Sequence, residues 1–129
     1  MGLLIMTDYS TIAALSAVYL EDSYVLDIVD ELPLFKFKIE AVLTRDHPSY
    51  RAPGSGEQYC YAAGWLVFRD VSRVEWERQS PRRYTDAAGE EDRGNIDFLK
   101  LDGDHWYTGG DWGEARIFTT ATPQLTLTG

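Results

Sequence analysis

The chain has 129 residues, of which 21 are Asp or Glu and 12 are Lys or Arg, so its formal net charge is −9. Hydrophobic residues make up 44%, which suits one core in a chain too short for two domains. This composition excludes a disordered chain, a collagen and a disulfide-stapled miniprotein. The negative charge also argues against a general nucleic-acid binder. We expect a single domain over residues 1–129.

The cysteine content and the N-terminus bear on the compartment. Cys60 is the one cysteine, so an intramolecular disulfide is impossible and a reducing, cytoplasmic compartment is favoured. The apolar run at residues 3–6 is too short for a signal peptide, and no run reaches the roughly 20 residues needed to span a bilayer. Met6, followed by Thr7, is typical of a start site. We therefore expect residues 1–6 to be a start-site extension or disordered, and no membrane association.

The first predicted element is a helix over residues 7–20. Ile12, Leu15 and Val18 recur at helical spacing, and Asp8 or Ser10 could cap the start. The remaining residues, 23–128, are predicted to form a β domain.

From residue 23 onward the hydrophobic period changes to two, which is typical of strands. Residues 23–29 and 34–43 are predicted to form a hairpin across Leu32 and Pro33. Residues 45–57 contain two prolines and two glycines, which favours a loop. Further strands are predicted within residues 58–68, 71–77, 95–101, 105–108, 115–120 and 124–128. The polar residues 78–94 are a long loop of the kind that is often functional or mobile.

Residues 58–68 are apolar on both faces, which predicts a central or doubly covered strand. Gly64 within it indicates a bulge or a close approach of another chain segment. One face needs a cover, and the N-terminal helix is the simplest one. A homodimer interface through this strand is the next, and a ligand pocket lined by Tyr and Trp is a third.

These elements predict a mainly β fold. About eight short strands after one N-terminal helix suit an antiparallel sandwich or a barrel-like curved sheet. Strands and helices do not alternate, so a parallel sheet is not expected.

Several stretches resemble a group of small bacterial proteins that share a domain of uncharacterised function. They are residues 19–28, 66–68 with Val74 and Trp76, 89–98, and 110–113, so the similarity spans about residues 19–118. The resemblance implies a cytoplasmic bacterial all-β domain and transfers no catalytic residue. By size and charge alone, the chain is also similar to immunity proteins that neutralise toxins.

Carboxylates are concentrated in one predicted loop. They are Asp86, Glu90, Glu91 and Asp92. Such a density of oxygen ligands could hold Ca²⁺ or Mg²⁺, but the spacing does not fit a calcium-binding loop. A solvated loop, partly paired with Arg82, Arg83 and Arg93, is the favoured interpretation, and no metal site is predicted.

Catalytic arrangements are the weaker alternative. Asp97, on the strand face of Leu99, and Asp111, beside Trp112, could form a carboxylate pair for hydrolysis if a cleft raises one pKa. Cys60 lies mid-strand and is better explained as a small buried hydrophobe than as a nucleophile. No phosphate-binding, dinucleotide, serine-hydrolase or zinc motif is present, so no cofactor is predicted.

The sequence therefore favours a non-enzymatic binding module that recognises a protein through acidic and aromatic residues. A basic partner, such as a toxin, is one specific version. The residues proposed for partner binding are Asp86, Glu90, Glu91, Asp92, Trp106, Asp111 and Trp112. The alternative is a small-molecule binder or hydrolase whose cleft contains Asp97 and Asp111.

Overall fold

A computed structural model describes residues 6–85, 87 and 89–128. The extension predicted at residues 1–5 and the candidate Asp86 lie outside these residues. In the described part a 3-10 helix, Tyr9–Thr11, accompanies eleven strands. The strands are β1 Thr7–Asp8, β2 Val18–Glu31, β3 Leu34–Leu43, β4 Cys60–Phe68, β5 Arg73–Gln79, β6 Tyr84–Thr85, β7 Glu91–Asp92, β8 Phe98–Asp102, β9 His105–Gly110, β10 Gly113–Phe118 and β11 Gln124–Leu127.

The strands form three antiparallel sheets. The first has the order β1-β8-β9-β10-β5, the second has the order β11-β4-β3-β2, and β6 pairs with β7. The mainly β, antiparallel prediction is confirmed, but neither large sheet closes into a barrel. The predicted number of strands was too low because β1, β6 and β7 have two residues each. A two-residue strand has no period that a sequence can display.

The predicted helix over residues 7–20 is wrong. Asp8 does accept a hydrogen bond from the Ser10 amide, but the turn that it caps is three residues long. The chain then bends into β2, where Val18 and Leu20 are buried and Tyr19 between them is exposed. The alternation at the end of the segment thus prevails over the helical spacing at its start. Among the described residues no helix has the length and apolar character to cross a membrane.

The core lies between the two large sheets. Phe35, Phe37 and Ile39, which alternate along β3, are fully buried. Phe37 contacts Trp112 of the other sheet with ring centroids 4.9 Å apart, and Phe35 contacts Trp76 at 6.0 Å. These aromatic contacts join the sheets and burial of such rings is a main source of stability.

The pairing of β2 with β3 contains an irregular stretch that the side chain of Ser23 stabilises. The pairing of β2 with β3 shifts register between Tyr19 and Tyr24. Inside this irregular stretch the buried Ser23 hydroxyl donates to the Tyr19 carbonyl (2.8 Å) and accepts from the Val42 amide (2.9 Å). Ser23 therefore satisfies backbone groups that the bulge removes from the ladder.

Candidate functional site

The stretch that carries Glu90, Glu91 and Asp92, which we call the acidic segment, runs along the free edge of β2. The Arg93 amide donates to the Val25 carbonyl (2.7 Å), and the Val25 amide donates to the Gly94 carbonyl (2.8 Å). The side-chain amide of Asn95 adds a bond to the Ser23 carbonyl (2.8 Å). These bonds fix the segment to the second sheet, so the preceding carboxylates stand beside the outer face of β2 and β3.

A groove of about 290 Å³ lies where this segment meets that face. We call it the acidic groove. It is lined by Tyr24, Leu26, Glu40, Tyr61, Glu90, Glu91 and Asp92. Three of the residues proposed from the sequence, Glu90, Glu91 and Asp92, are thus brought together in one concave site.

Two tyrosine rings contribute to the lining of the acidic groove. Tyr24 and Tyr61 stack with centroids 6.1 Å apart and an angle of 29° between the rings. Burial first, and then the charge of the Tyr24 hydroxyl and a hydrogen bond with it, raise the pKa of Tyr61 to about 12. The phenol therefore stays neutral at physiological pH.

The chemistry of the acidic groove favours a cation. Carboxylates attract positive charge, and the negative faces of tyrosine rings attract an ammonium or a guanidinium. Tyr24 and Glu40, which pair directly across β2 and β3, were not among the residues proposed from the sequence. Their alternation in the two strands was visible, but the register shift that brings them beside residues 90–92 was not.

Both tryptophans proposed for partner binding lie in the core. Trp106 is 2% exposed and Trp112 is 1% exposed. The indole N–H of Trp112 donates to the Asn95 carbonyl (2.9 Å). Each indole contacts a phenylalanine of the facing sheet, and this cross-sheet packing keeps both rings from the surface.

Asp97 and Asp111 do approach each other, but they do not line the acidic groove. Both are exposed, and partial burial of its carboxyl still raises the pKa of Asp97 above its usual value. The Asp111 carboxylate adds to this rise, whereas the Arg78 guanidinium opposes it. Because solvent screens an exposed pair, the shift is a modest effect.

The ion pairs expected for the acidic loop are not found among the described residues, where Arg82, Arg83 and Arg93 form none. Among the same residues, no group of three His, Cys, Asp or Glu side chains is placed to hold a metal ion.

Strand β4 matches its prediction of a central strand, with β11 on one side and β3 on the other. Cys60, Leu66 and Phe68 face the core, whereas Tyr61 and Trp65 are half-buried on the outer face. The predicted helical cover of this face is absent. A Cβ at Gly64 would lie 2.6 Å from the Thr126 carbonyl oxygen, so the predicted close approach is confirmed and pairing there has no bulge.

Comparisons of the chain with protein-family models, curated proteins and solved structures give no match.

Proposed function

We propose that this protein is a non-enzymatic binding module whose acidic groove receives a basic side chain of a partner protein. The observation that carries the proposal is the convergence of Glu91, Asp92 and Glu40 on the stacked rings of Tyr24 and Tyr61. Carboxylates alone are common on protein surfaces. A concave site that adds aromatic faces to them binds a cation by two mechanisms at once.

Arginine fits this lining better than lysine. A guanidinium is planar, stacks on an aromatic ring and can pair with a carboxylate through two parallel hydrogen bonds. An ammonium is more strongly hydrated and loses more on entering a site that is half apolar. The partner residue is therefore expected to be an arginine.

The charge distribution supports a basic partner. Residues 1–35 contain six acids and no Lys or Arg, and residues 86–129 contain nine acids and three bases. Like the sequence resemblance, this is compatible with an immunity-type role in the bacterial cytoplasm against a basic toxin. We include that role in the proposal, and electrostatic steering would speed such an association.

The test uses a short arginine-containing peptide and the same peptide with citrulline, which keeps the shape and removes the charge. Binding is measured by calorimetry at low and high salt. The double variant Glu91→Gln/Asp92→Asn removes two charges from the acidic groove. The control, Glu31→Gln/Asp46→Asn, removes two charges from exposed acids that do not line it.

The proposal predicts that the arginine peptide binds more tightly than its citrulline counterpart, and less tightly in high salt. The groove variant should lose at least about tenfold in affinity, while the control changes by less than about twofold. Equal loss in both variants would show that overall charge, and not the groove, binds the peptide. Ca²⁺ that displaces the peptide would instead indicate a metal site.

A hydrolase remains the second candidate because Asp97 and Asp111 interact and the pKa of Asp97 is raised. A pair of carboxylates with different pKa values can supply an acid and a base. Turnover of a glycoside or ester substrate that is abolished by either Asp97→Asn or Asp111→Asn would establish this candidate. Both residues are exposed, which is unfavourable for such chemistry.

The homodimer predicted through residues 58–68 also remains a proposal. Both backbone edges of β4 are already paired, so only its outer face, with Tyr61 and Trp65, could form the interface. Sedimentation of the wild type and of Trp65→Lys tests this directly. A dimer that the variant dissociates would support it, and a monomeric wild type would exclude it.

A further inference from the structure

A second cavity lies on the other side of the acidic segment and contains a cationic side chain. Its volume is about 450 Å³, within the range of roughly 300–1,000 Å³ that is usual for small-molecule sites. It is lined by Ile28, Asp30, Trp76, Gln79, Ser80, Pro81, Arg93 and Trp112. We call it the Arg93 pocket.

The two sheets themselves build this pocket. Trp76 and Gln79 come from β5, an edge strand of the first sheet, and Ile28 and Asp30 come from β2, an edge strand of the second. The indole N–H of Trp76 donates to the Asp30 carboxylate (3.2 Å) and bridges the two edges. The pocket therefore occupies an open side of the two-sheet core, with two indoles in its lining.

Arg93 is the unusual group in this lining. Its Nε is shielded from solvent and has no hydrogen-bond partner. No carboxylate among the described residues forms an ion pair with its guanidinium. A buried donor of a charged group without an acceptor is unfavourable, and such groups in native proteins call for an explanation.

The other polar groups of the pocket also offer donors. The Ser80 hydroxyl accepts from the Arg82 amide (3.2 Å), which leaves its own proton to donate. Gln79 adds a side-chain amide, and the indole N–H of Trp76 bonds to one of the two oxygens of the Asp30 carboxylate. Donors near a guanidinium and indole walls together suit a negatively charged, flat molecule.

We propose that the Arg93 pocket binds a small organic anion, namely a carboxylate attached to an aromatic or similarly flat apolar body. The carboxylate accepts from the guanidinium of Arg93, the one cationic side chain among the described residues of the lining. The apolar body lies against the half-buried indole of Trp76. This site is independent of the acidic groove and its occupant has the opposite charge.

The experiment titrates the full chain with 3-phenylpropionate and with 3-phenylpropionamide, its neutral counterpart. Tryptophan fluorescence is the readout because Trp76 and Trp112 line the pocket. Arg93→Gln removes the guanidinium. Arg83→Gln removes a charge from an exposed arginine that does not line the pocket and serves as the control.

We expect the carboxylate to bind and the amide to bind at least about tenfold more weakly. Arg93→Gln should weaken carboxylate binding by a similar factor, and Arg83→Gln should change it by less than about twofold. Carboxylate and amide that bind equally, an Arg93→Gln variant with unchanged affinity, or no binding of the carboxylate at millimolar concentration would each overturn the proposal.

A second pair of variants keeps the proposal testable if Arg93→Gln does not fold. Gln79→Glu places a negative charge in the lining of the pocket, and Gln124→Glu makes the same change on β11, outside the lining. Gln79→Glu should weaken the binding of 3-phenylpropionate and leave the binding of 3-phenylpropionamide unchanged. Equal behaviour of the two glutamate variants would contradict the site.

Discussion

The acidic groove and the Arg93 pocket are separated by the width of one short segment, yet their chemistry is opposite. Glu91 and Asp92 line the first, and Arg93, the next residue, lines the second. The segment bonds to the edge of β2 from Arg93 onward, through the Arg93 amide and the Gly94 carbonyl. One segment fixed to the edge of β2 can thus provide an anionic wall and a cationic wall. The net charge of −9 therefore does not predict that the two sites attract ligands of opposite charge.

The two sites differ in what supports them. The acidic groove depends on the outer face of the second sheet, whereas the Arg93 pocket depends on core tryptophans between the sheets. Trp112 also holds the Asn95 carbonyl at the end of the shared segment. Trp112 and Asn95 thus form a shared support for both sites, and changes there should affect both. Changes within one sheet should affect only one of the two sites.

The largest effect is expected for Gly110→Ala, which attacks the shared support. A Cβ there would lie 2.1 Å from the Asn95 carbonyl oxygen and 2.6 Å from Nε1 of Trp112. Such overpacking should lower the free energy of unfolding by about 3 kcal/mol, measured by urea denaturation.

Gly103→Ala is the control for that variant. Gly103 has φ of 68° in the β8–β9 turn, and a Cβ there meets nothing within 4 Å. Only the backbone preference is lost, about 1 kcal/mol. If Gly110→Ala were no more destabilising than Gly103→Ala, the close packing of Trp112 and Asn95 would not support the segment.

Ser23→Ala should affect the acidic groove more than the Arg93 pocket. It leaves the buried Val42 amide without its acceptor, a loss of about 1–3 kcal/mol in the free energy of unfolding. Ser16→Ala, at an exposed site with only a local bond, should cost less than about 0.5 kcal/mol. Equal urea midpoints for the two variants would show that the bulge does not need the Ser23 hydroxyl.

The titration of Tyr61 reports on the acidic groove alone. Tyr24→Phe removes a hydroxyl that raises the pKa of Tyr61, so this pKa should fall from about 12. The folded pKa of Tyr61 lies above the ordinary value near 10, so folding stability falls as pH rises from about 10 to about 12. In the Tyr24→Phe variant this pH interval should be smaller. Tyrosinate absorbance measures the pKa. Tyr84→Phe, outside the groove, should leave the titration of Tyr61 unchanged.

The smallest effect is expected for Asp97→Asn, outside both sites. The raised pKa of Asp97 means that its ionised form is disfavoured in the folded protein. Replacement should therefore raise the free energy of unfolding at neutral pH by about 0.5 kcal/mol or less, because the pair is exposed. The gain should vanish as pH falls below the ordinary pKa of 3.8. A loss of stability at pH 7 would contradict the repulsion from Asp111.

The sequence predicted elements whose signal is local. The alternation in residues 34–43 identified strand β3, and the apolar strand around Gly64 was correctly made central. The N-terminal segment failed because a few apolar residues at helical spacing cannot outweigh burial of Val18 and Leu20 against a sheet. Helical spacing is a weak guide where the chain forms an edge of the core.

The candidate sites were predicted in part. Glu90, Glu91 and Asp92 do share a groove, but Tyr24 and Glu40 join them through a register that one sequence cannot show. Trp106 and Trp112 were proposed because acidic residues lie near them in sequence, whereas cross-sheet packing buries both rings. Arg93 was expected to pair with neighbouring acids. The separate cavity that it lines is formed by residues of both sheets, which the sequence alone does not bring together.

The most direct test of the central claim is a two-dimensional NMR titration of the ¹⁵N-labelled chain with the arginine peptide. We expect saturable shifts at Tyr24, Tyr61 and Glu91 that the citrulline peptide does not cause. Shifts confined to Trp76 and Arg93, or the same shifts with citrulline, would contradict a cation site in the acidic groove.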